Sequence, residues 1–234
     1  MQYVMSDIHG QYDKYLSMMD KIQFSDNDHL YIIGDVIDRG PDGGKMLLEA
    51  LTNKNITLLM GNHELMMAEA GDGIEEANRW LSNGAENTID QLAEMDFQIE
   101  DFLDMLVKLP VSIPDLVVNG KKYCLVHAYP PENHDNKIQI YESMNQWDAF
   151  QAVWSRIFRD PFSDTCQIFE QYPDTTFIIG HTPIHKCSYA QYDESGSPII
   201  SSCCNGRVIN IDCGCAAGLR LGCMRLDDGM TFYT

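Results

Sequence analysis

Five short segments of this 234-residue sequence carry side chains that could bind metal ions or transfer protons. They contain Asp7 with His9, Asp35 with Asp38 and Arg39, Asn62 with His63, then His127, and finally His181. Carboxylates, amides and imidazoles together suit borderline divalent ions such as manganese, iron or zinc better than magnesium or calcium, which prefer all-oxygen sites. The set predicts a centre in which two metal ions share one carboxylate.

The segment from Gly34 to Pro41, Gly-Asp-Val-Ile-Asp-Arg-Gly-Pro, brings the most charge to one place. It follows four apolar residues that predict a buried strand, and its first glycine allows a sharp turn. Two carboxylates so close together need a compensating cation, for which Arg39 and a bound metal are the candidates. Taken alone, these residues could form an ordinary surface turn. The recurrence of the pattern elsewhere favours a functional site.

Each cluster follows an apolar run that predicts a β-strand. After the first two runs the apolar residues recur at helical spacing, and after the third come the helix-forming residues Leu65–Ala70, which together predict successive βα units. Open α/β sheets bind ligands at the carboxyl ends of their strands, so we expect the clusters to meet at one edge. The five apolar runs are Met1–Met5, Leu30–Ile33, Ile56–Met60, Tyr123–Val126 and Thr176–Ile179.

The remaining sequence predicts supporting structure around these units. Residues 74–109 predict an amphipathic helical insertion, and Asn119-Gly120 predicts a hairpin turn. Residues 130–160 predict a surface excursion that contributes Arg156, and the C-terminal third predicts mainly antiparallel strands. We therefore expect one α/β domain spanning residues 1–234.

Composition limits the partners of the protein. The sequence has 35 acidic and 16 basic residues and a formal net charge of -19, which disfavours binding to nucleic acid or to anionic membranes. A phosphorylated substrate would need local positive charge, which metal ions could supply. The N-terminus enters a strand directly and no run could span a bilayer, so we expect a cytoplasmic protein.

The eight cysteines predict free, mostly buried thiols rather than disulfides. Cys203-Cys204 and Cys213-Gly214-Cys215 lack the paired C-x-x-C spacing of structural zinc sites, which disfavours such a site.

Together, Asp-x-His, Gly-Asp-x-x-Asp-Arg-Gly, Gly-Asn-His-Glu, an isolated histidine and Gly-His-Thr form a pattern that resembles the phosphoprotein phosphatase family of calcineurin-like metallophosphoesterases. The resemblance spans nearly the whole chain. The stretch from Trp80 to Ala85 is similar to the Trp-x-x-Asn-Gly-Gly stretch of the bacterial and phage protein phosphatases, with alanine in the last position. The resemblance implies an αββα sandwich of two mixed β-sheets flanked by helices.

The resemblance also implies a role for each site residue. Asp7 and His9 would bind one metal, Asp35 would bridge both, and Asn62, His127 and His181 would complete the second site. His63, oriented by Asp38, would act as the catalytic acid, while Arg39, Asn62 and Arg156 would bind phosphate. Two divalent ions, with manganese expected first and iron or zinc as alternatives, would activate a water for in-line attack on phosphorus.

Three functions fit this pattern. The first is a phosphatase acting on phosphoserine and phosphothreonine in proteins, with phosphotyrosine or a small phosphoester as further substrates. The second is a symmetrical dinucleoside-polyphosphate hydrolase, although these relatives typically carry Gly-Asn-His-Asp where this chain has Glu64. The third is a catalytically silent phosphopeptide-binding module, which the complete set of expected metal-binding and acid residues disfavours. The sequence does not determine the oligomeric state.

Overall fold

Alternating apolar side chains build two β-sheets around a shared core in the computed structural model, which describes residues 1–132, 137–161 and 168–234. On the first strand Val4 belongs to an apolar cluster that also contains Leu125 and Ile178 of the other sheet. Its neighbours Tyr3 and Met5 belong to a second cluster that includes the helices. This period of two buries both faces of the strand, one against a sheet and the other against helices.

Both sheets mix parallel and antiparallel pairs. The strands are β1 (Gln2–Met5), β2 (His29–Ile32), β3 (Ile56–Leu58), β4 (Pro110–Val118), β5 (Lys121–Val126), β6 (Gln139–Ile140), β7 (Thr175–Ile179), β8 (Gln191–Tyr192), β9 (Pro198–Ile199), β10 (Ser201–Cys203), β11 (Val208–Asn210), β12 (Gly222–Arg225) and β13 (Thr231–Tyr233). The first sheet has the order β13-β12-β1-β2-β3, with β1, β2 and β3 parallel. The second has the order β10-β11-β7-β5-β4-β6, with β11, β7 and β5 parallel. Strands β8 and β9 pair separately.

Helices flank both sheets. They are α1 (Tyr12–Ile22), α2 (Gly43–Thr52), α3 (Asn62–Glu69), α4 (Ile74–Ser82), α5 (Glu86–Glu94), α6 (Glu100–Leu106), α7 (Gln146–Trp154) and α8 (Ile168–Gln171). Helix α1 contacts β13 and α2 contacts β3 of the first sheet, while α7 contacts β4 of the second. The predicted α/β class and αββα sandwich are therefore confirmed.

The predicted βα units lie in the first sheet, with one shift that affects the site. The third helix was expected over Leu65–Ala70, but α3 begins at Asn62, so Asn62 and His63 lie in its first turn. Glu64 lies there too and closes a capping arrangement by accepting the Gly61 N–H at 2.9 Å.

The structure agrees with the prediction for residues 74–109 and differs from the prediction for part of residues 130–160. Helices α4, α5 and α6 lie within the predicted helical region 74–109, with Trp80 and Phe102 buried. The expectation that residues 130–160 form a surface excursion is wrong for α7, which buries Ala149, Ala152 and Val153. These three residues have helical spacing, but the surrounding aromatic residues and turn signals obscured it. Residues 133–136 lie outside the described residues.

The thiol prediction is confirmed for the part of the chain that the structure describes. Cys124, Cys187, Cys203, Cys213, Cys215 and Cys223 are free thiols and are buried, and Cys204 is half-buried. Cys166 lies outside the described residues. No helix among the described ranges combines the length and the apolar character needed to cross a membrane.

Candidate active site

The strand ends meet in a cleft of about 200 Å³. Most of the predicted site residues line it, and three others, Asp38, His63 and His127, lie buried outside that lining. The predicted residues that line the cleft are Asp7, His9, Asp35, Arg39, Asn62, Arg156 and His181.

The backbone of the site is held in an uncommon conformation. Six of the predicted site residues have left-handed φ values. For a non-glycine residue this conformation costs about 1–3 kcal/mol and persists only where the surrounding structure imposes it. Hydrogen bonds between the first two strand-end loops impose it here, because the His9 N–H donates to the Asp35 carbonyl at 2.9 Å. The φ values are 51° for Asp7, 48° for His9, 57° for Asp35, 69° for Asp38, 66° for Arg39 and 64° for His181.

Two glycines let metal-capable carboxylates pack against backbone. A Cβ at Gly61 would lie 2.3 Å from Asp35 Oδ1, and a Cβ at Gly180 would lie 2.3 Å from Asp7 Oδ2. The same carboxylate oxygens accept backbone hydrogen bonds from residues that follow these glycines. The His63 N–H donates to Asp35 Oδ1 and the His181 N–H donates to Asp7 Oδ2, both at 3.0 Å. Each carboxylate is therefore fixed through one oxygen.

Three histidines each have one ring nitrogen bonded to a main-chain carbonyl. A carbonyl only accepts, so that ring nitrogen must carry a proton, and in the neutral form of the ring the other nitrogen has a free lone pair. This is how proteins orient neutral imidazoles as metal ligands. The carbonyl partners are Ile37 for His9, Ile33 for His127 and Trp154 for His181, at 2.9, 2.7 and 3.2 Å.

The Asp35 carboxylate faces the Nε2 atoms of three histidine rings. Its Oδ2 is 3.5 Å from His9 Nε2, 3.4 Å from His127 Nε2 and 4.0 Å from His63 Nε2. Two sets of residues, each with ligand atoms within 4.8 Å of one another, share it, namely His9, Asp35 and His63, and Asp35, His127 and His181. Asp7 belongs to neither set, although it lines the same cleft.

The ionised Asp35 carboxylate and the acceptor atoms around it favour a bound cation. Burial favours protonation of Asp35, but His127 and His63 hold the pKa of its carboxyl well below the usual range. Burial lowers the pKa of His127, yet Asp35 outweighs it and raises that pKa to about 10. With Asn62 Oδ1 also 3.1 Å from His127 Nε2, acceptor atoms converge here and need a proton or a metal ion between them.

The remaining ligand candidates are neutral. Burial lowers the pKa of His9 to about 3, although Asp35 opposes the shift. Burial and the nearby positive charges of His127 and Arg156 hold the pKa of His181 well below its usual value. Neutral imidazoles are the form that binds metal ions.

His63 differs from these histidines because its ring bonds to a carboxylate. Its Nδ1 donates to Asp38 Oδ2 at 2.6 Å, and both side chains are wholly buried. Burial alone would lower the pKa of His63, but Asp35 and Asp38 outweigh it and raise that pKa. A histidine paired in this way can carry a proton at neutral pH, which suits acid catalysis.

Positive side chains line the open side of the cleft. The exposed Arg39 donates through Nη1 to His9 Nε2 at 2.9 Å and through Nη2 to His63 Nε2 at 2.8 Å. Arg156, also exposed, donates to Thr182 Oγ1 at 3.1 Å, and Lys186 lines the same cleft. This side of the cleft can attract an anionic group.

Asp212 was not among the predicted site residues, but it is 3% exposed and lines the cleft. Burial and the charge of Asp7 raise the pKa of its carboxyl well above the usual range. The signal was present, because Asp212 follows the apolar strand β11 and precedes Gly214, as Asp35 follows β2.

Glu64 does not line the cleft. Its carboxylate accepts the N–H groups of Asp35 at 2.7 Å, Val36 at 2.8 Å and Gly61 at 2.9 Å. Burial, with the charge of Asp35, raises the pKa of its carboxyl to about 7. Glu64 therefore shapes the turn that carries Asp35 and has no direct contact through which to select a substrate.

Comparison with known proteins agrees with this geometry. The family model of calcineurin-like phosphoesterases matches residues 3–204. Serine/threonine-protein phosphatase 2 from Salmonella typhimurium is 32% identical over 183 residues, which cover 76% of this chain and 78% of that protein. The symmetrical bis(5'-nucleosyl)-tetraphosphatase of Buchnera aphidicola is 24% identical, over 98% of this chain and 95% of that protein.

A solved structure of a protein serine/threonine phosphatase from Saccharomyces cerevisiae shares the fold, with a TM-score of 0.60 and 15% identity over 100% of this chain and 78% of that one. The chain therefore belongs to the calcineurin-like phosphoesterase family, and it is a metal-dependent hydrolase of phosphate esters.

Proposed function

We propose that the protein is a cytoplasmic, single-domain phosphatase that removes phosphate from phosphoserine and phosphothreonine in proteins, with phosphotyrosine as a further substrate. The observation that carries this proposal is the acidic wall of the groove beside the cleft, formed by Glu69, Asp72 and Glu76. Manganese is the metal that we expect first, with iron or zinc as alternatives.

The donor set supports two metal sites that share Asp35. Asp7 and His9 would complete one site, and Asn62, His127 and His181 the other. When bound, two such ions lower the pKa of a water molecule towards neutrality and neutralise charge on the phosphoryl oxygens. The carbonyl-bound rings of His9 and His127 are oriented in advance, so binding requires no rotation of these side chains.

His63 is the proposed acid for the leaving group. Its Nδ1 proton is held by Asp38. Nε2 accepts from Arg39 at 2.8 Å, so a second proton on Nε2 would face the cleft once Arg39 turns from this nitrogen to a bound phosphate. Donating this proton to the departing serine or threonine oxygen avoids the formation of a strongly basic alkoxide. Asp38 stabilises the charged ring before transfer and keeps its orientation afterwards.

Arg39 is the proposed phosphate clamp, together with Asn62 and Arg156. Its two terminal nitrogens point in the same direction, towards His9 and His63, and present the planar fork that matches two phosphoryl oxygens. Arg156 lines the same cleft and adds a second positive charge. Both guanidiniums would stabilise charge that develops on the phosphoryl group.

A neighbouring groove of about 310 Å³ supports a protein substrate. Trp154 lines both this groove and the cleft, and the groove wall carries Glu69, Asp72 and Glu76 against one arginine, Arg79, which pairs with Glu69. A dinucleoside polyphosphate would place further phosphates beside this acidic wall, at an electrostatic cost. A phosphopeptide presents one phosphate, and its flanking residues need not be anionic.

Symmetrical dinucleoside-polyphosphate hydrolysis is the second candidate, because relatives of that name match the chain. A silent phosphopeptide-binding module is the third, and the complete donor set argues against it. These alternatives predict different outcomes in the following assays.

Hydrolysis of p-nitrophenyl phosphate with manganese, abolished by a chelator and by His63→Asn, would distinguish an enzyme from a binding module. The discriminating measurement is then kcat/KM for a phosphoserine peptide, a phosphotyrosine peptide and diadenosine tetraphosphate under one metal condition. We expect the phosphoserine peptide to be preferred. A preference for diadenosine tetraphosphate would refute the proposed substrate, and no turnover with any metal would refute the enzyme.

A further inference from the structure

Helices α4 and α5 each place one side chain against Asp38, the partner of His63. We propose that Trp80 and Thr88 are positioning residues that fix the Asp38 carboxylate, and through it the ring of His63. This inference rests on the proposed role of His63 as the acid. It assigns a function to the helical insertion, whose sequence indicated only amphipathic packing.

The two side chains hold both oxygens of one carboxylate. Trp80 Nε1 donates to Asp38 Oδ2 at 2.9 Å, and the Thr88 hydroxyl donates to Oδ1 at 2.9 Å. His63 Nδ1 donates to the same Oδ2 as Trp80, at 2.6 Å. The carboxylate therefore cannot rotate towards His63 or away from it without breaking a bond to a buried donor.

Helix α5 and the turn between α4 and α5 also form hydrogen bonds with the backbone of Asp38 and Arg39. Asp38 and Arg39 both have left-handed φ values, 69° and 66°. The Asp38 N–H donates to Thr88 Oγ1 at 2.9 Å, and the Arg39 N–H donates to the Gly84 carbonyl at 2.9 Å. Asn87 Nδ2 also donates to the Arg39 carbonyl at 3.2 Å. The turn between α4 and α5 and the start of α5 thus support the unfavourable conformation of both residues.

Packing leaves these groups little freedom. Asp38 and Thr88 are 0% exposed and Trp80 is 2% exposed. A Cβ on Gly43 would lie 2.4 Å from Thr88 Oγ1, so α2 approaches the hydroxyl closely from the other side. Water cannot replace a lost bond here without a rearrangement of the core, so removal of one donor should displace the carboxylate.

The test compares substrates whose leaving groups differ in their need for a proton. Phenyl phosphate releases a basic phenolate and depends on acid catalysis, whereas p-nitrophenyl phosphate releases a stable anion and depends on it less. The variants are Thr88→Val, which removes the hydroxyl at nearly constant volume, Thr88→Ser, which keeps it, and Trp80→Phe, which removes the indole N–H. Thr52→Val, at an exposed threonine of α2, is the matched control.

We expect Thr88→Val and Trp80→Phe to lower kcat for phenyl phosphate about 10- to 100-fold, the usual effect of losing an outer-shell partner, with a smaller loss for p-nitrophenyl phosphate. Thr88→Ser should restore the ratio of the two rates, and the number of bound metal ions should stay unchanged. Equal losses for both substrates, or no loss, would overturn the inference.

His63→Asn separates this inference from the function on which it rests. If that variant lowers the phenyl phosphate rate selectively but Thr88→Val and Trp80→Phe do not, the positioning role is wrong and the acid role is retained. If His63→Asn has no selective effect, the proposed acid is wrong. Should Thr88→Val fail to fold, as judged by circular dichroism, Trp80→Phe decides the outcome with the same rate ratio.

Discussion

Asp38→Asn removes one charge from the site while keeping its shape. Two donors, Trp80 Nε1 and His63 Nδ1, meet at Asp38 Oδ2, so the amide oxygen of asparagine must occupy that position. The amide nitrogen then faces Thr88 Oγ1, which can accept a hydrogen bond. The substitution therefore removes the carboxylate charge and reverses the bond to Thr88, while His63 and Trp80 keep an oxygen acceptor.

The size of the effect follows from this one bond. A hydrogen bond to a charged group contributes about 1.5–3 kcal/mol and a neutral one about 0.5–1.5 kcal/mol, so the charged ring loses about 1–2 kcal/mol. One pKa unit corresponds to about 1.4 kcal/mol, so the pKa of His63 should fall by about one unit. Asp38 raises this pKa in the native protein, which fixes the direction of the change.

The assay is the pH dependence of kcat for phenyl phosphate across neutral and alkaline pH at one manganese concentration. Because the acid must be protonated, activity is lost as pH rises through the pKa of His63. Asp38→Asn should move this alkaline limb to lower pH by about one unit. Asp90→Asn, on an exposed residue of α5, should leave it in place. An alkaline limb that does not move, or that moves to higher pH, would refute the proton role of the pair.

Three further predictions concern the phosphate clamp, the metal ions and the thiols. Arg39→Ala should lower kcat/KM about 100- to 1000-fold, as expected when a donor to the transition state is lost, while both metals stay bound; an unchanged kcat/KM in steady-state assays would contradict the clamp. Removal of metal by a chelator should lower the melting temperature, because ions that bind only the folded state at 100 times their dissociation constant stabilise it by about 2.7 kcal/mol; identical melting curves would count against a metal centre. Burial raises the pKa of Cys215 to about 12 and raises that of the other buried thiols as well, so iodoacetamide at mildly alkaline pH should label them only after denaturation; rapid labelling of the native protein, located by mass spectrometry, would contradict their burial. The other thiols in this group are Cys124, Cys187, Cys203, Cys213 and Cys223.

The strand-end pattern was readable in the sequence because each polar cluster directly follows its own strand. A buried strand has a short, strong apolar signal, and the residue after it must lie at the edge of the sheet. This is why the convergence of Asp7, Asp35 and His181 could be predicted without knowledge of any distance. It is also why Asp212 could have been included, since it follows β11 in the same way.

The supporting residues could not be read in this way. Trp80 and Thr88 reach Asp38 from positions 42 and 50 residues further along the chain, and an amphipathic helix gives no sign of which polar residue will be buried beside a catalytic group. Glu64 could be recognised as part of a motif, but only the packing reveals that it bonds to three backbone N–H groups and does not line the cleft. Such contacts depend on the docking of elements, which local periodicity does not encode.

The bridging role of Asp35 is the central claim, because it assigns the remaining ligands to two sites. The most direct test is the number of metal ions bound per chain after dialysis against manganese, measured by elemental analysis for the native protein and for Asp35→Asn. We predict two ions for the native protein, Asp38→Asn and Arg39→Ala, and a clear loss of bound metal together with turnover for Asp35→Asn. Retention of two ions and full activity by Asp35→Asn would contradict the account.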